Sequence, residues 1–334
     1  MKSFAAVLAS VILSSPILFG QGALAPSEAP GPLMKSLDQI EPRTPISSLP
    51  FTISTSGSYY FTKNLQHTAT SGHAIIITAT DVTLDLCGFT LSSTAAVMGR
   101  GINSSALNTT VKNGTILGTT TVTISGTAPS RSWTINTGGF DIGISDWGGS
   151  HYQDLTIRGC RTYGHYTSGE GNSIIERVSV STNGGYGIYA KGSSISNCIA
   201  TTNGTVGIYT DPGCVTSCTA SSNGAFGIAA SSVTNSTASF NGTNGINVNY
   251  GSVINSSAYS NTSVGINAGY GSVTNCVARL NGANGIFTNF GSVTSSLAMG
   301  NTGTDLQATY GVVAFCKAGT ASTTGSILTG NLAP

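Results

Sequence analysis

Asparagine recurs at Asn183, Asn203, Asn223, Asn241, Asn261, Asn281 and Asn301, at intervals of 20, 20, 18, 20, 20 and 20 residues. Three further ladders keep step with it. Five residues after each Asn stands an aliphatic residue (Ile188, Ile208, Ile228, Ile246, Ile266, Ile286, Leu306), and eight before it stands another (Ile175, Ile195, Val215, Val233, Val253, Val273, Val293). Three before it comes a small apolar residue: Val180, Ala200, Ala220, Ala238, Ala258, Ala278 or Ala298. The one short interval is a two-residue loss between Ile228 and Val233, where Ala229-Ala230-Ser231-Ser232 stands for a longer segment such as Asn247 to Ser252. A shortened loop does this without disturbing the other spacings.

Helical repeats need about 33 residues or more per unit and good helix formers, and this unit offers neither. Twenty residues rich in Gly, Thr, Ser, Asn and Val suit one coil of a parallel β-solenoid, three short strands joined by tight turns and stacked at about 4.8 Å. Equivalent residues then lie one above another. An inward Asn amide at a turn can hydrogen-bond its copies above and below, and Asn also tolerates the left-handed backbone that a sharp turn requires. The Asn ladder is therefore read as structural.

The same register places most of the seven cysteines (87, 160, 198, 214, 218, 276 and 316). Five residues before each Asn come Val178, Cys198, Cys218, Ser236, Ser256, Cys276 and Ser296, with Cys316 one coil later. Cys alternating with Ser marks a small inward site, so buried free thiols are expected; a Cys198–Cys218 or Cys214–Cys218 disulfide is the alternative. No metal site is expected, because Cys214 and Cys218 lack a second ligand pair. Asn-x-Ser/Thr triplets, as at Asn108, Asn203 and Asn261, follow from composition and signal glycosylation only in a eukaryotic secretory route.

With 12 acidic and 13 basic residues in 334, charged residues make up 7% of the chain, far below the roughly 25% of an ordinary soluble domain. The hydrophobic 39% is too high for a disordered linker. The scattered cations exclude a nucleic-acid partner, which needs a basic stripe. Residues 1–25 read as an export signal, with Lys2, an apolar run from Phe4 to Phe19 and the small-x-small site Ala23-Leu24-Ala25. No later stretch is long and apolar enough to span a bilayer. A secreted or cell-surface monomer is expected, with residues 26–45 as linker and cap and 46–334 as the solenoid.

Upstream, Tyr152, Leu155, Ile157 and Cys160 fit the template with Cys160 at the Asn position, and Gly164-His165 falls where later coils have Gly-Ile. Ile75-Ile76-Ile77, Val82-x-Leu84-x-Leu86 and Val111 to Ile116 show strand alternation between turns. About a dozen coils of ~20 residues result. The first coil needs a cover, and Leu33, Met34, Leu37 and Ile40 suit a short capping helix over Pro32 to Glu41, ended by Pro42 and Pro45. How the last coil is closed is not visible in Gly319 to Pro334.

The Asn-Gly, Gly-Ile and Val-x-x-Cys/Ser-x-Ala ladders, with Leu49-Pro50-Phe51-Thr52-Ile53, Gly57-Ser58-Tyr59-Tyr60 and Val82-Thr83-Leu84-Asp85-Leu86, resemble the secreted proteins of the pectin lyase-like superfamily over nearly the whole mature chain. The resemblance implies an all-β, right-handed parallel β-helix. It implies no single activity, since lyases, hydrolases, epimerases and adhesins share that fold. The elements of its polygalacturonases (Asn-Thr-Asp, Asp-Asp, Gly-His-Gly, Arg-Ile-Lys) are missing apart from Gly164-His165, and so is the Trp-Ile-Asp-His element of a pectate lyase family.

Charge concentrates between Asp141 and Arg177, with Asp146, Asp154, Arg158, Arg161, Glu170 and Glu176 beside His151 and His165. Acid/base attack on a polysaccharide needs paired carboxylates, or a base and a charge stabiliser beside a uronate carbon. Asp146, His151, Arg158, Arg161 and His165 are the candidates. The bland reading places Asp154 beneath Arg177 as an exposed ion pair and turns His165 inward at its Ile position. Trp147, Tyr163, Tyr166 and Tyr186 lie close to this cluster in sequence, and aromatic faces among amides and hydroxyls suit sugars. Contact with extracellular polysaccharide is therefore the leading expectation, without a cofactor. A polysaccharide lyase or epimerase acting on uronates, for which Ca would be a candidate cofactor, and a passive surface rod are the alternatives.

Overall fold

The computed structural model describes residues 42–94, 99–127, 130–169 and 171–330. The expected leader, the capping helix over Pro32 to Glu41 and Glu170 lie outside them. Among the described residues there is no helix, and hence none long and apolar enough to cross a membrane.

From Thr44 onward the chain is a parallel β-helix with three sheets running its length. In the coil after Asn183, Tyr186–Ala190 belongs to the first sheet, Ser194–Ser196 to the second and Ile199–Thr201 to the third. Each strand pairs in parallel with its counterpart one coil away: Ile188 with Ile208, Ile195 with Val215, Ala200 with Ala220. The ladders read from the sequence are these pairings. Coil boundaries run on to Ile327–Thr329, which pairs with Val312–Ala314. The solenoid begins at Thr44–Ile46, two residues earlier than Ile46, pairing with Tyr59–Phe61.

Side chains alternate across each strand, so every second residue enters the interior. Ile188, Ile208, Ile228, Ile246, Ile266 and Ile286 are fully buried, as are Ala200, Ala220 and Ala238. The shortened coil appears as a continuous strand, Ile228–Thr234, that passes from first to second sheet without the bulge that Asp211-Pro212-Gly213 makes within Ile208–Thr216 one coil earlier.

The Asn side chains behave as an interior amide ladder. Asn203 Nδ2 donates to Asn223 Oδ1 at 2.9 Å and the Asn203 backbone N–H to the same oxygen at 3.0 Å. The second Nδ2 hydrogen finds a carbonyl, as from Asn223 to Ala200 at 3.0 Å. Asn281 repeats the pattern near the far end: its Nδ2 donates to Asn301 Oδ1 at 2.8 Å and to Ala258 O at 3.2 Å, and its own oxygen accepts from Asn261 Nδ2 at 3.0 Å. At one end of the column Cys160 N–H donates to Asn183 Oδ1 at 3.0 Å, so Cys160 does occupy the Asn position. At the other end the ladder finishes on a carboxylate: Asn301 Nδ2 lies 2.7 Å from Asp305 Oδ1. One expectation fails. The ladder residues, from Asn183 through Asn281 to Asn301, do not themselves take the left-handed backbone. That conformation belongs to the residue preceding each Asn, such as Thr202 (φ 56°), Ser222 (φ 58°) and Leu280 (φ 55°), because the amide must point inward while the bend is made outside it. A second column of left-handed residues, including Asn197, Asn235, Asn255 and Asn275, makes the corner between second and third sheets.

All seven cysteines are free thiols. Cys198 and Cys218 fill the Cys/Ser column, each sulfur accepting a backbone N–H from the coil before: Val178 to Cys198 at 3.4 Å, Cys198 to Cys218 at 3.3 Å. Ser236 and Ser256 continue the same bond at 3.1 Å. Burial pushes the Cys276 thiol up to about 11, so it stays protonated and unreactive.

Among the described residues, an antiparallel excursion leaves the coil. Between Thr109–Leu117 and Ile142–Asp146 the chain makes an antiparallel hairpin, Thr121–Ser125 with Ser132–Asn136. It lies along later coils, where Trp133 Nε1 donates to Ser222 O at 2.8 Å and Arg131 sits 4.8 Å over the Phe240 ring. A Cβ on Gly204 would overlap the Gly184 carbonyl oxygen and stand 2.6 Å from Ile135 Cδ1, so this approach requires glycine there.

Candidate functional site

The five acid/base candidates do not converge on one groove. His165 pairs in register with Ile144 and Ile188, so its ring enters the interior as the bland reading has it. Asp146, at the inward end of Ile142–Asp146, follows it. The two side chains are wholly enclosed, with His165 Nε2 3.5 Å from Asp146 Oδ1. Ser173 Oγ donates to Asp146 Oδ2 at 3.0 Å, and the His165 ring meets buried Tyr152 edge-on at 4.5 Å. Burial by itself would raise the Asp146 carboxyl, but the contacts from His165, Thr167 and Ser173 outweigh it and hold the group below its ordinary range.

The others face outward in different places. His151, on the second sheet, holds Glu176 Oε1 at 3.0 Å. Arg158 is exposed at the end of His151–Arg158, and Arg161 lies in the turn before the first sheet. Asp154 and Arg177 form the expected inter-coil pair, with Nε–Oδ1 at 2.6 Å and Nη2–Oδ2 at 3.0 Å. That pair holds the Asp154 carboxyl below its usual range, as Arg177 does for Glu176.

The tyrosines converge. Tyr163, Tyr166 and Tyr186 share the outer face of the first sheet, with ring centroids 4.7 Å apart for Tyr163–Tyr166 and 5.4 Å for Tyr163–Tyr186. Two residues that the sequence reading missed complete the cluster: Tyr189 stacks on Tyr166 at 5.4 Å and Tyr209 on Tyr189 at 4.8 Å, nearly parallel at 6°. Tyr166, Tyr189 and Tyr209 are in-register neighbours in three successive coils. The coil register would have found them, since Tyr166, Tyr189 and Tyr209 each stand six residues after Cys160, Asn183 and Asn203 in turn. Partial burial raises the Tyr163 and Tyr209 phenols, with neighbouring tyrosines adding to it, so both remain neutral donors. Beside them a shallow depression of about 210 Å³ is lined by Arg161, Thr162, Tyr163, Gly184, Tyr186 and Thr205. Trp147 is elsewhere, 61% exposed in the loop between first and second sheets.

Among the described residues no cluster of three or more His, Cys, Asp or Glu side chains is placed to hold a metal ion.

No family model matches the chain, and no curated protein does. Among solved structures, the Azotobacter vinelandii mannuronan C-5 epimerase AlgE6 A-module is similar with a TM-score of 0.50 at 12% identity, over 84% of this chain and 91% of that one. The A. vinelandii AlgE4 A-module follows with a TM-score of 0.46 at 16% identity, over 82% and 87%. A tailspike protein from Acinetobacter baumannii bacteriophage Fri1, a capsular polysaccharide depolymerase, gives 0.46 at 11% identity, over 78% and 58%. Identities this low speak for the fold. The ladders, the three parallel sheets and the likeness to the epimerase module agree, and the chain has the parallel β-helix fold of the pectin lyase-like proteins.

Proposed function

We propose that the protein is exported and contacts extracellular polysaccharide along the outer face of its first sheet. The observation that carries this reading is the convergence of Tyr163, Tyr166, Tyr186, Tyr189 and Tyr209 on three adjacent coils. Sugar rings offer C–H faces to aromatic rings while their hydroxyls seek donors and acceptors, and a cluster of phenols supplies both. Beyond Tyr209 the same outer column continues through Ala229, Asn247, Asn267, Phe287 and Gln307, so the face stays uncharged. Similarity to polysaccharide-acting proteins is compatible with this reading at the level of the fold.

Contact is favoured over lyase or epimerase chemistry by the placement of the ionisable groups. A base that abstracts a proton from a uronate must reach it, whereas Asp146 and His165 are enclosed and His151 is held by Glu176 on the second sheet. Affinity gel electrophoresis against plant, algal and bacterial polysaccharides tests the reading. Retardation by at least one polymer is expected, weakened about tenfold in Tyr166→Ala/Tyr189→Ala, as loss of aromatic stacking predicts. Absence of retardation by every polymer overturns it, as does a double variant that weakens retardation by none of them. Export is checked separately, by the mass of protein recovered outside the cell, which should begin near Pro26.

A further inference from the structure

A second aromatic array lies in the loops between first and second sheets, where Tyr250, Tyr270, Phe290 and Tyr310 occupy one position in four successive coils. Their centroids are 5.2, 5.4 and 5.6 Å apart and their planes lie within 8°, 2° and 15° of parallel. They are 80%, 51%, 57% and 61% exposed, a concentration of aromatic surface on the least charged part of the molecule. Face-to-face contact would bring carbons to about 3.5–4.0 Å. The observed centroid distances are longer than that contact, so the rings stack without close packing and present exposed aromatic surface along the array.

The array forms one wall of a groove of about 740 Å³ whose floor is the Gly-Ser pairs 251–252, 271–272 and 291–292. A Cβ on Gly251, Gly271, Gly291 or Gly311 would overlap a carbonyl oxygen of the preceding coil. Glycine is thus demanded by the stacking of the loops, and it leaves the floor low beside the rings. Ser232 and Ser252 set hydroxyls along the floor, 3.4 Å apart. Among the described residues no charged side chain lines this groove. On the preceding coils a separate depression of about 460 Å³ is lined by Ser194, Cys214 and Ser231 among others.

We infer that this groove is a second carbohydrate site, for a neutral, unbranched polysaccharide in an extended conformation such as a β-1,4-glucan. Uncharged lining disfavours a polyanion, since no cation offsets its desolvation. A straight array of nearly parallel rings matches a ribbon-like chain whose successive sugars advance by about one coil spacing, and it does not match a coiled polymer. The floor hydroxyls and backbone carbonyls meet the hydroxyls at the ribbon's edge. The inference shares the carbohydrate reading above but rests on another surface, so each can fail alone.

The test uses the full mature protein with hydroxyethyl cellulose as the neutral extended probe and sodium alginate as the anionic one, in affinity electrophoresis and calorimetry. Wild type should bind hydroxyethyl cellulose and show no groove-dependent binding of alginate. Tyr270→Ala/Phe290→Ala should weaken that binding by about tenfold or more, Tyr250→Ala should weaken it less, and Tyr270→Phe should retain it. Tyr166→Ala/Tyr189→Ala should leave in place the part of that binding which Tyr270→Ala/Phe290→Ala removes. Tyr250, which among the described residues stacks on Tyr270 alone, keeps the test valid if the double variant misfolds. Equal binding by wild type and the groove variants overturns the inference, as does no binding at all. A wild-type dimer in sedimentation that the same variants dissociate, without effect on glucan, would assign the groove to a second copy of the chain and also overturn it.

Discussion

From Asn203 to Asn301 the ladder asparagines each donate two side-chain hydrogen bonds, which makes single positions costly to change. Asn241 donates from Nδ2 to Asn261 Oδ1 and Ala220 O, and its own oxygen accepts the Asn223 backbone and amide N–H at 3.0 Å each. Asn241→Ala leaves buried donors and an acceptor without partners and should lower unfolding stability by about 3–4 kcal/mol in urea denaturation. The carboxylate at the ladder's end makes a sharper point. Asp305 accepts from Asn301 on one oxygen and from the Thr320 backbone at 3.0 Å on the other, so an amide there would set a donor against a donor. Asp305→Asn, nearly identical in shape, should therefore destabilise by about 1–3 kcal/mol. The thiol column gives the opposite result. Cys218→Ser keeps the acceptor for Cys198 N–H, as Ser236 does for Cys218, and should melt close to wild type, while Cys218→Ala orphans that donor and should cost about 1–3 kcal/mol. Asp146 adds a pH dependence. Its folded-state pKa lies below the unfolded value of about 3.9, so its stabilisation is complete above that value and is lost as pH falls through the folded pKa. Denaturation curves between pH 2 and 5, a window of about that range, should show a shallower acid decline in Asp146→Asn.

Single strands of three residues have little stability alone, and what holds them is the coil above and below. The hairpin Thr121–Asn136 ties across several of these coils, with Trp133 bonded to Ser222 and Arg131 set over Phe240, although it arises far upstream in the chain. Trp133→Ala should destabilise by about 1–2 kcal/mol, below the cost of a fully buried Trp, and should raise hydrogen exchange selectively near Ser222 and Gly242. Uniform exchange across the solenoid would show that the hairpin is not a clamp. The tie was not legible in the sequence. Thr119 to Thr123 reads only as a short polar array, and nothing in it says which glycines it will lie against. The tyrosine face was legible in two ways: Tyr163, Tyr166 and Tyr186 are close in sequence to the charged cluster, and Tyr189 and Tyr209 follow from the coil register that stacks them on Tyr166.

Over the whole described column, charge and aromatic surface are segregated. Ion pairs gather in the early coils, as Lys112 with Asp85, His151 with Glu176 and Asp154 with Arg177, while the later coils carry neutral grooves. Such exposed pairs contribute little, and the interior ladders dominate. The final strands, Ala321–Ser322 and Ile327–Thr329, are exposed throughout, so amides there should exchange faster than those of Ile208–Thr216. By itself the sequence determined the stacked coil, the inward Asn, Cys/Ser and aliphatic columns and the Asp154–Arg177 pair, because a fixed 20-residue period converts spacing into vertical contact. Tertiary structure alone decided that Asp146 and His165 are enclosed together, that Trp147 stands apart from the tyrosines, and that Tyr250, Tyr270, Phe290 and Tyr310 wall a groove. The period specifies which residues stack, whereas the path of each turn decides whether a side chain ends inside the coil or on its surface.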